Sequence, residues 1–343
     1  MLRGKIYCFI VFCIFAVFLV ACSGGSKQNV AENNNTNSDT QITSSNMEAA
    51  VPETQQAGSN IHGMLTRVVY GDNVAYIFGS MHEGKPDWFP LHPIVQDAMA
   101  RSDAFAFEVD LSETPSDELL AEIDSLISIP DGLTLEDILP EDVFVNFITN
   151  LETFNVIGLH YDNIADLSPV VLMFAVLPPV MVELLGTEAE LSVDSYVAAF
   201  AEAHGKPIIG LAGILDENFA YFSMPMEAQV YALVDFPDFD TMLANYADTS
   251  VIEAYARQDI DALKTAISAI YPAGNPYQDY LRHISWHTRS NRFADEIARL
   301  LQETEEPTNF FVTIGISHIL GGDFGNVLNR LEDMGFNVVP LWK

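Results

Sequence analysis

Two stretches of the chain repeat one pattern. Ile77-Phe78-Gly79-Ser80-Met81-His82 and Thr313-Ile314-Gly315-Ile316-Ser317-His318 each close an apolar run with Gly-x-x-His. A third apolar run, Ala104–Val109, carries Glu108 and is followed by Asp110. Two imidazoles and a carboxylate suit a divalent transition metal, Mn, Co or Zn, with positions left open for water and substrate. Such an ion lowers the pKa of bound water from 15.7 to about 7 and polarises a carbonyl. His82, His318 and Glu108 are the expected ligands. Glu108 is either a ligand or the general base. Asp110 is either a further ligand or a group that orients a histidine. A single Gly-x-x-His is a weak signal, and one such histidine alone reads as a strand-end residue bonded to a loop. Two of them, separated by most of the domain, weigh more. A carboxylate in so apolar a strand also needs a partner, because burying it alone is costly.

The elements around these residues follow from periodicity and turn signals. Met64–Tyr70 and Val74–Gly79 read as strands joined at Gly71-Asp72-Asn73. Pro93–Arg101 reads as a helix and Ala104–Val109 as a strand. Residues 112–190 read as helical, broken by proline, with Val170–Leu185 as a buried helix or lid. Ser192 to His204 is a helix, capped by Ser192 and stopped at Gly205. Ile208–Leu211 is a strand, followed by helices over Pro225–Leu233, Phe239–Arg257, Ile260–Ile270 and Tyr277–Gln302. A strand at Thr308–Ile314, a helix at Gly325–Met334 and a strand at Val338–Leu341 complete the chain. The expected fold is α/β: a central mixed or mainly parallel sheet, flanking helices and a helical insertion at about 112–190. In such sheets ligands collect at the carboxyl ends of strands. Glycine there lets the chain turn sharply, so Gly79 and Gly315, with Asp110, are the expected lining of the cofactor site.

The N-terminus sets the location. Arg3 and Lys5 precede the apolar run Ile6–Val20, and Leu19-Val20-Ala21-Cys22 follows. A charged start, an apolar run and small residues at a cleavage point describe a signal peptide. The cysteine after Leu-x-Ala resembles a bacterial lipobox, which implies lipidation of Cys22. The expected organisation is a signal peptide over 1–21, a polar tether over 22–58 and a domain over 59–343. The tether is rich in Asn, Ser, Thr, Gln and Gly and has too little apolar surface to offset its ordering entropy. An uncleaved anchor helix is the blander reading of the same start. The three cysteines are Cys8, Cys13 and Cys22, so the domain itself holds no thiol for catalysis or metal binding. A formal charge of -33 argues against nucleic acid as a partner. The expected partners are a membrane, through the lipid anchor on its extracytoplasmic face, and a peptide or protein substrate.

The motifs carry a resemblance to a known family. Gly79-Ser80-Met81-His82, Phe107-Glu108-Val109-Asp110 and Asn309 to Gly322 resemble the TraB/PrgY/GumN family. Val193-Asp194, Gly205-Lys206-Pro207-Ile208, Gly325–Leu331 and Gly335-Phe336-Asn337-Val338 extend the likeness over nearly the whole domain. It implies kinship with the membrane-tethered Tiki metalloproteases and with erythromycin esterase and ChaN-like folds. It also implies His82, Glu108 and His318 as catalytic elements. Two departures stand out. The family often has Leu-Glu-Thr where this chain has Leu211-Ala212-Gly213, and Arg-Asn where it has Arg289-Ser290. Arg289 remains a candidate anchor for a carboxylate or an oxyanion. His283 and His287 stand four apart on an expected helix but lack the intervening Glu of a His-Glu-x-x-His site, so a structural pair is the simpler reading.

The expected function is a metal-dependent hydrolase, a peptidase acting on extracytoplasmic peptides. The alternative is a non-catalytic binder of a peptide signal or of haem on the same scaffold. A third reading makes the glycine motifs determinants of packing alone. The proximity of His82 to His318 separates the last reading from the others.

Overall fold

The computed structural model describes residues 59–82, 84–110, 116–153, 161–171, 191–213, 215–216, 221–234, 251–270, 276–321 and 326–342. In chain order the elements that position the site are β1 (Thr66–Tyr70), β2 (Asn73–Ser80), α1 (Pro93–Arg101) and β3 (Ala104–Val109). Four helices follow: α2 (Asp117–Ile127), α3 (Leu135–Ile138), α4 (Glu141–Thr153) and α5 (Tyr161–Ile164). Then come α6 (Val193–Ala203), β4 (Ile208–Ala212), α7 (Met226–Val234), α8 (Val251–Arg257), α9 (Ile260–Ile270) and α10 (Pro276–Arg282). A π-helical segment, His283–Thr288, leads into α11 (Arg289–Glu303). The chain ends through β5 (Asn309–Gly315), a 3-10 turn (Ile316–His318), α12 (Val327–Asp333) and β6 (Asn337–Pro340).

The strands form one sheet in the order β4-β3-β5-β2-β1-β6. β1 pairs antiparallel with β2 and β6, whereas β2, β5, β3 and β4 run parallel. The sheet is therefore mixed and mostly parallel. β2, β3 and β5 are buried along almost their full length, as strands covered on both faces must be. Phe311 packs between Phe78 and Phe105 across them, with ring centroids 5.7 and 5.5 Å away. That wall of aromatic rings fills the centre of the core.

β5 enters the sheet last, between β2 and β3. The connections from β2 to β3 and from β3 to β4 lead one way across the sheet, and the one from β4 to β5 leads back. Right-handed crossovers then send these helices to opposite faces. α1 and α6 lie against β5 and β3, while α11 packs across β4, β2 and β1 and carries α12 beside it. The loops after β2 and β5 consequently leave in opposite directions. In sheets of this kind such a switch point, at the carboxyl ends of the strands, is where ligands collect.

Most of the expected elements lie where periodicity puts them, but two statements change. The expected helix Tyr277–Gln302 is interrupted by the π-helical segment, whose extra residue per turn shifts the phase of everything after it. Gly79 and Gly315 do not serve a sharp turn. Neither has a positive φ, and Gly315 is extended at φ -52, ψ 137. Space is what they supply: a Cβ on Gly79 would lie 3.0 Å from the Gly63 oxygen and 3.1 Å from the Ile316 Cα, and would run into the Ile316 side chain. Only the Val251–Arg257 end of the expected helix Phe239–Arg257 is described. The expected signal peptide, Cys22 and the expected tether lie outside the described residues, as does the expected lid or buried helix beyond residue 171. Among the described residues no helix is long and apolar enough to cross a membrane.

The close approach at Gly79 gives a direct test. Gly79→Ala is expected to destabilise the protein by about 1–3 kcal/mol through overpacking against Ile316. Gly132→Ala, whose Cβ would meet nothing within 4 Å but whose φ is +70, should cost only about 1 kcal/mol. Urea unfolding midpoints compare the two, and an equal or smaller loss at Gly79 would contradict the packing account.

Candidate functional site

Parallel register brings the three motif strands level. Ser80 is the partner of Gly315, and Phe107 is the partner of Thr313. Glu108 therefore sits beside the end of β5, with His82 and His318 just beyond the strand ends. Its carboxylate is the hub. The Gly315 N–H donates to Oε1 at 2.6 Å, and Arg289 donates to Oε2 at 2.6 Å. His318 Nε2 lies 3.8 Å from Oε1. A side chain at 315 would crowd this contact, since a Cβ there would be 3.2 Å from Oε1.

His318 is buried. Its Nδ1 lies 2.8 Å from the Ser290 Oγ, and the Phe293 ring meets it edge-on at 5.0 Å. Burial pushes its pKa down to about 3, which the Glu108 charge only partly opposes. The imidazole is therefore neutral at pH 7. Burial works against charge on Glu108 too, but Arg289 first, and then the two histidines and the Gly315 N–H, bring its pKa down to about 2. Because His318 is uncharged above pH 3, the Arg289 guanidinium is what keeps Glu108 ionised near neutrality. Breaking such a pair strands a buried charge, at a cost of about 3–5 kcal/mol.

His82 is held from the opposite side. Its Nδ1 lies 3.1 Å from Asp194 Oδ2, while Ser80 donates to Oδ1 at 2.7 Å. Asp194 is buried, and the His82 side chain is 36% exposed. The first turn of α6 delivers Asp194. Ser192 caps that helix by accepting from the Ser195 N–H, and the Val193 N–H donates to the Met81 carbonyl at 3.0 Å. Tyr255 adds a second support by donating to the Gly79 carbonyl at 2.8 Å. Burial and the nearby Asp194 charge raise its pKa well above the usual value, so it stays a phenol.

The structure thus gathers His82, Glu108, His318 and Arg289, and both histidines act electrostatically on Glu108. Among the described residues, however, no group of three or more His, Cys, Asp or Glu side chains is gathered closely enough to form a ready cage for an ion. Glu108 is held by Arg289 and Gly315, and His82 by Asp194. The pair that remains fits a divalent ion in kind. A neutral imidazole anchored through Nδ1 and an ionised carboxylate face each other across 3.8 Å. Arg289 turns inward to Glu108. Asp110 lines a cavity along β4, beside Arg292 and Glu296. His283 and His287 stack at 5.8 Å on the π-helical segment. Trp88 is a core residue packed on Tyr255.

Two functional residues were not among the expected ones. Asp194 reads from sequence as an ordinary acid in the first turn of a helix, where the helix dipole favours it. Its burial against His82 is a tertiary fact. Ser290 stood out only as a departure from the Arg-Asn pattern, yet it is the partner of His318.

The buried pair sets a pH dependence of stability. His318 takes up a proton near 6.5 when unfolded but only near 3 when folded, so the unfolded chain binds more protons between those values. Glu108 behaves alike between 4.5 and about 2. Both contributions are complete above pH 6.5 and are lost as pH falls. In chelator-treated protein the urea midpoint should drop between pH 7.5 and 5, and His318→Gln should flatten that drop. A midpoint that is level in the wild type, or equally steep in the variant, would refute the assignment.

Comparison with known proteins places the chain. No curated protein and no solved structure matches it. Residues 64–340, which hold all three motif strands and every group of the Glu108 cluster, match a single family over their whole length. The chain belongs to the TraB/PrgY/gumN family.

Proposed function

We propose that the chain is a metal-dependent hydrolase of extracytoplasmic peptides, held at a membrane by lipid on Cys22. The observation that carries the reading is the double histidine arrangement around Glu108. Each imidazole is fixed through Nδ1, His82 by a buried carboxylate and His318 by a buried hydroxyl. That is how ligating histidines are commonly held, and it leaves Nε2 to face an ion or a reacting group.

His318 and Glu108 would hold the ion, which leaves His82 for proton transfer. Bound Mn, Co or Zn would supply an acidified water and a polarised carbonyl. The remaining roles belong to the chain. Glu108, at a pKa of about 2, is too weak a base to take a proton near pH 7, so ligation suits it better. Arg289 keeps that carboxylate ionised and is occupied in doing so, which argues against a direct anchor for substrate. His82 combines partial exposure with a carboxylate behind Nδ1, the arrangement that stabilises an imidazolium. It is therefore the group best placed to exchange a proton with water or the leaving amine.

The full-length chain, purified in detergent, should cleave members of a broad synthetic peptide library with Mn²⁺ or Co²⁺. Chelator or His82→Ala should reduce turnover by about 10³-fold or more. Folded, metal-loaded protein without turnover on the library would defeat the hydrolase reading, and a Soret band on adding haem would favour the binder instead. Asp194→Asn should lower kcat by about 10–100-fold and move one limb of its pH profile, with the fold retained by circular dichroism. An unchanged pH profile would leave Asp194 a structural residue only.

A further inference from the structure

β4 is the last strand of the sheet and, among the described residues, pairs on one side only, with β3. Its sequence Ile208-Ile209-Gly210-Leu211-Ala212 has no charge and no proline, the usual guards of an exposed edge. A cavity of about 630 Å³ runs along it, a volume typical of ligand sites. Every residue from Ile208 to Gly213 lines this cavity. Successive side chains point to opposite faces of a strand, so a pocket above one face would touch alternate residues. Contact with consecutive residues marks a groove along the edge, where the backbone itself is offered.

The groove adjoins the Glu108 cluster. Val109 and Asp110, immediately after Glu108, form one end. Its wall comes from Arg292 and Glu296 of α11, one and two turns beyond the Arg289 that grips Glu108. Its charge is uneven. Asp110, Asp216 and Glu296 line it with Arg292, which donates to the Asp216 carbonyl, and Glu296 already accepts from Arg299 at 2.6 Å. Ala212 and Gly213 keep its floor clear: a Cβ on Gly213 would touch only the Asp216 carboxylate, at 3.2 Å from Oδ2.

We propose that this groove is the substrate-docking site, taking an extended peptide as an added strand along β4 with a basic side chain set against Asp216. The assignment rests on the peptidase reading and names its substrate class. Backbone pairing along β4 would supply affinity and register, and the acidic lining would supply selectivity. The peptide would then lead past Asp110 to the Glu108 cluster.

Binding is measured apart from turnover. Full-length His82→Ala protein is equilibrated with a pool of short random peptides, and the bound fraction is sequenced. Lys and Arg should be enriched by about threefold over the input, the scale of a partly exposed charge pair. Gly213→Leu, which fills the floor, should abolish the enrichment, and Asp216→Lys should shift it toward Asp and Glu. N-methylating alternate residues of a recovered peptide should weaken binding by about tenfold in one phase and little in the other, as expected for strand pairing. A pool without basic enrichment, a pool unchanged by both variants, or equal effects in the two phases would overturn the docking site. Wild-type protein is then given the recovered peptides with Mn²⁺. Binding without cleavage would count against the hydrolase reading and leave the groove standing, whereas cleavage indifferent to both groove variants would overturn the groove alone.

Discussion

A carboxylate buried at the end of a parallel strand must be compensated, and the arrangement around Glu108 is that compensation. Arg289 and the Gly315 N–H occupy its two oxygens, and His318 stands next to it as a neutral ring. Each partner arrives on a different element: α11, the end of β5 and the 3-10 turn after it. Ionisation of Glu108 therefore ties the last third of the chain to β3. The two histidines are then supported from behind, by Asp194 on α6 and Ser290 on α11. Supporting groups of this kind hold reactive side chains within narrow limits, which is why they matter as much as the groups they support.

The strand order makes this possible. β5 is inserted between strands formed more than a hundred residues earlier, so the two Gly-x-x-His motifs end side by side at a switch point. The glycines allow strands and turns to approach closely there. The π-helical segment has a comparable effect on α11. It ends where α11 begins, and there Arg289 and Ser290, consecutive residues, reach two different members of the cluster. Such segments recur at functional sites because they re-aim a helix at little cost in hydrogen bonds.

The same helix links chemistry to recognition. Arg289 faces the cluster, and Arg292 and Glu296 wall the groove beside β4. A peptide lying on that edge and a reaction at Glu108 would share one rigid support. The departure at Leu211-Ala212-Gly213 falls on the floor of this groove, so small residues there leave room where a larger chain would fill it.

Much was legible without the fold. Apolar runs, helical spacing, proline and glycine punctuation and the Ser192 cap located the strands and helices, because those signals act over a few residues. The paired motifs and a lone glutamate in an apolar strand marked His82, His318 and Glu108, since unusual residue types in apolar runs need a chemical reason. Only the tertiary structure decided how they are used. That Arg289 neutralises Glu108, that Asp194 orients His82 and that Ser290 stands behind His318 are contacts across 28 to 181 residues of sequence. Local pattern carries no information about such distances. Nor did composition foretell that His318 would be neutral and Glu108 ionised side by side. Those states come from burial and from one guanidinium, and both exist only once the sheet has closed around them.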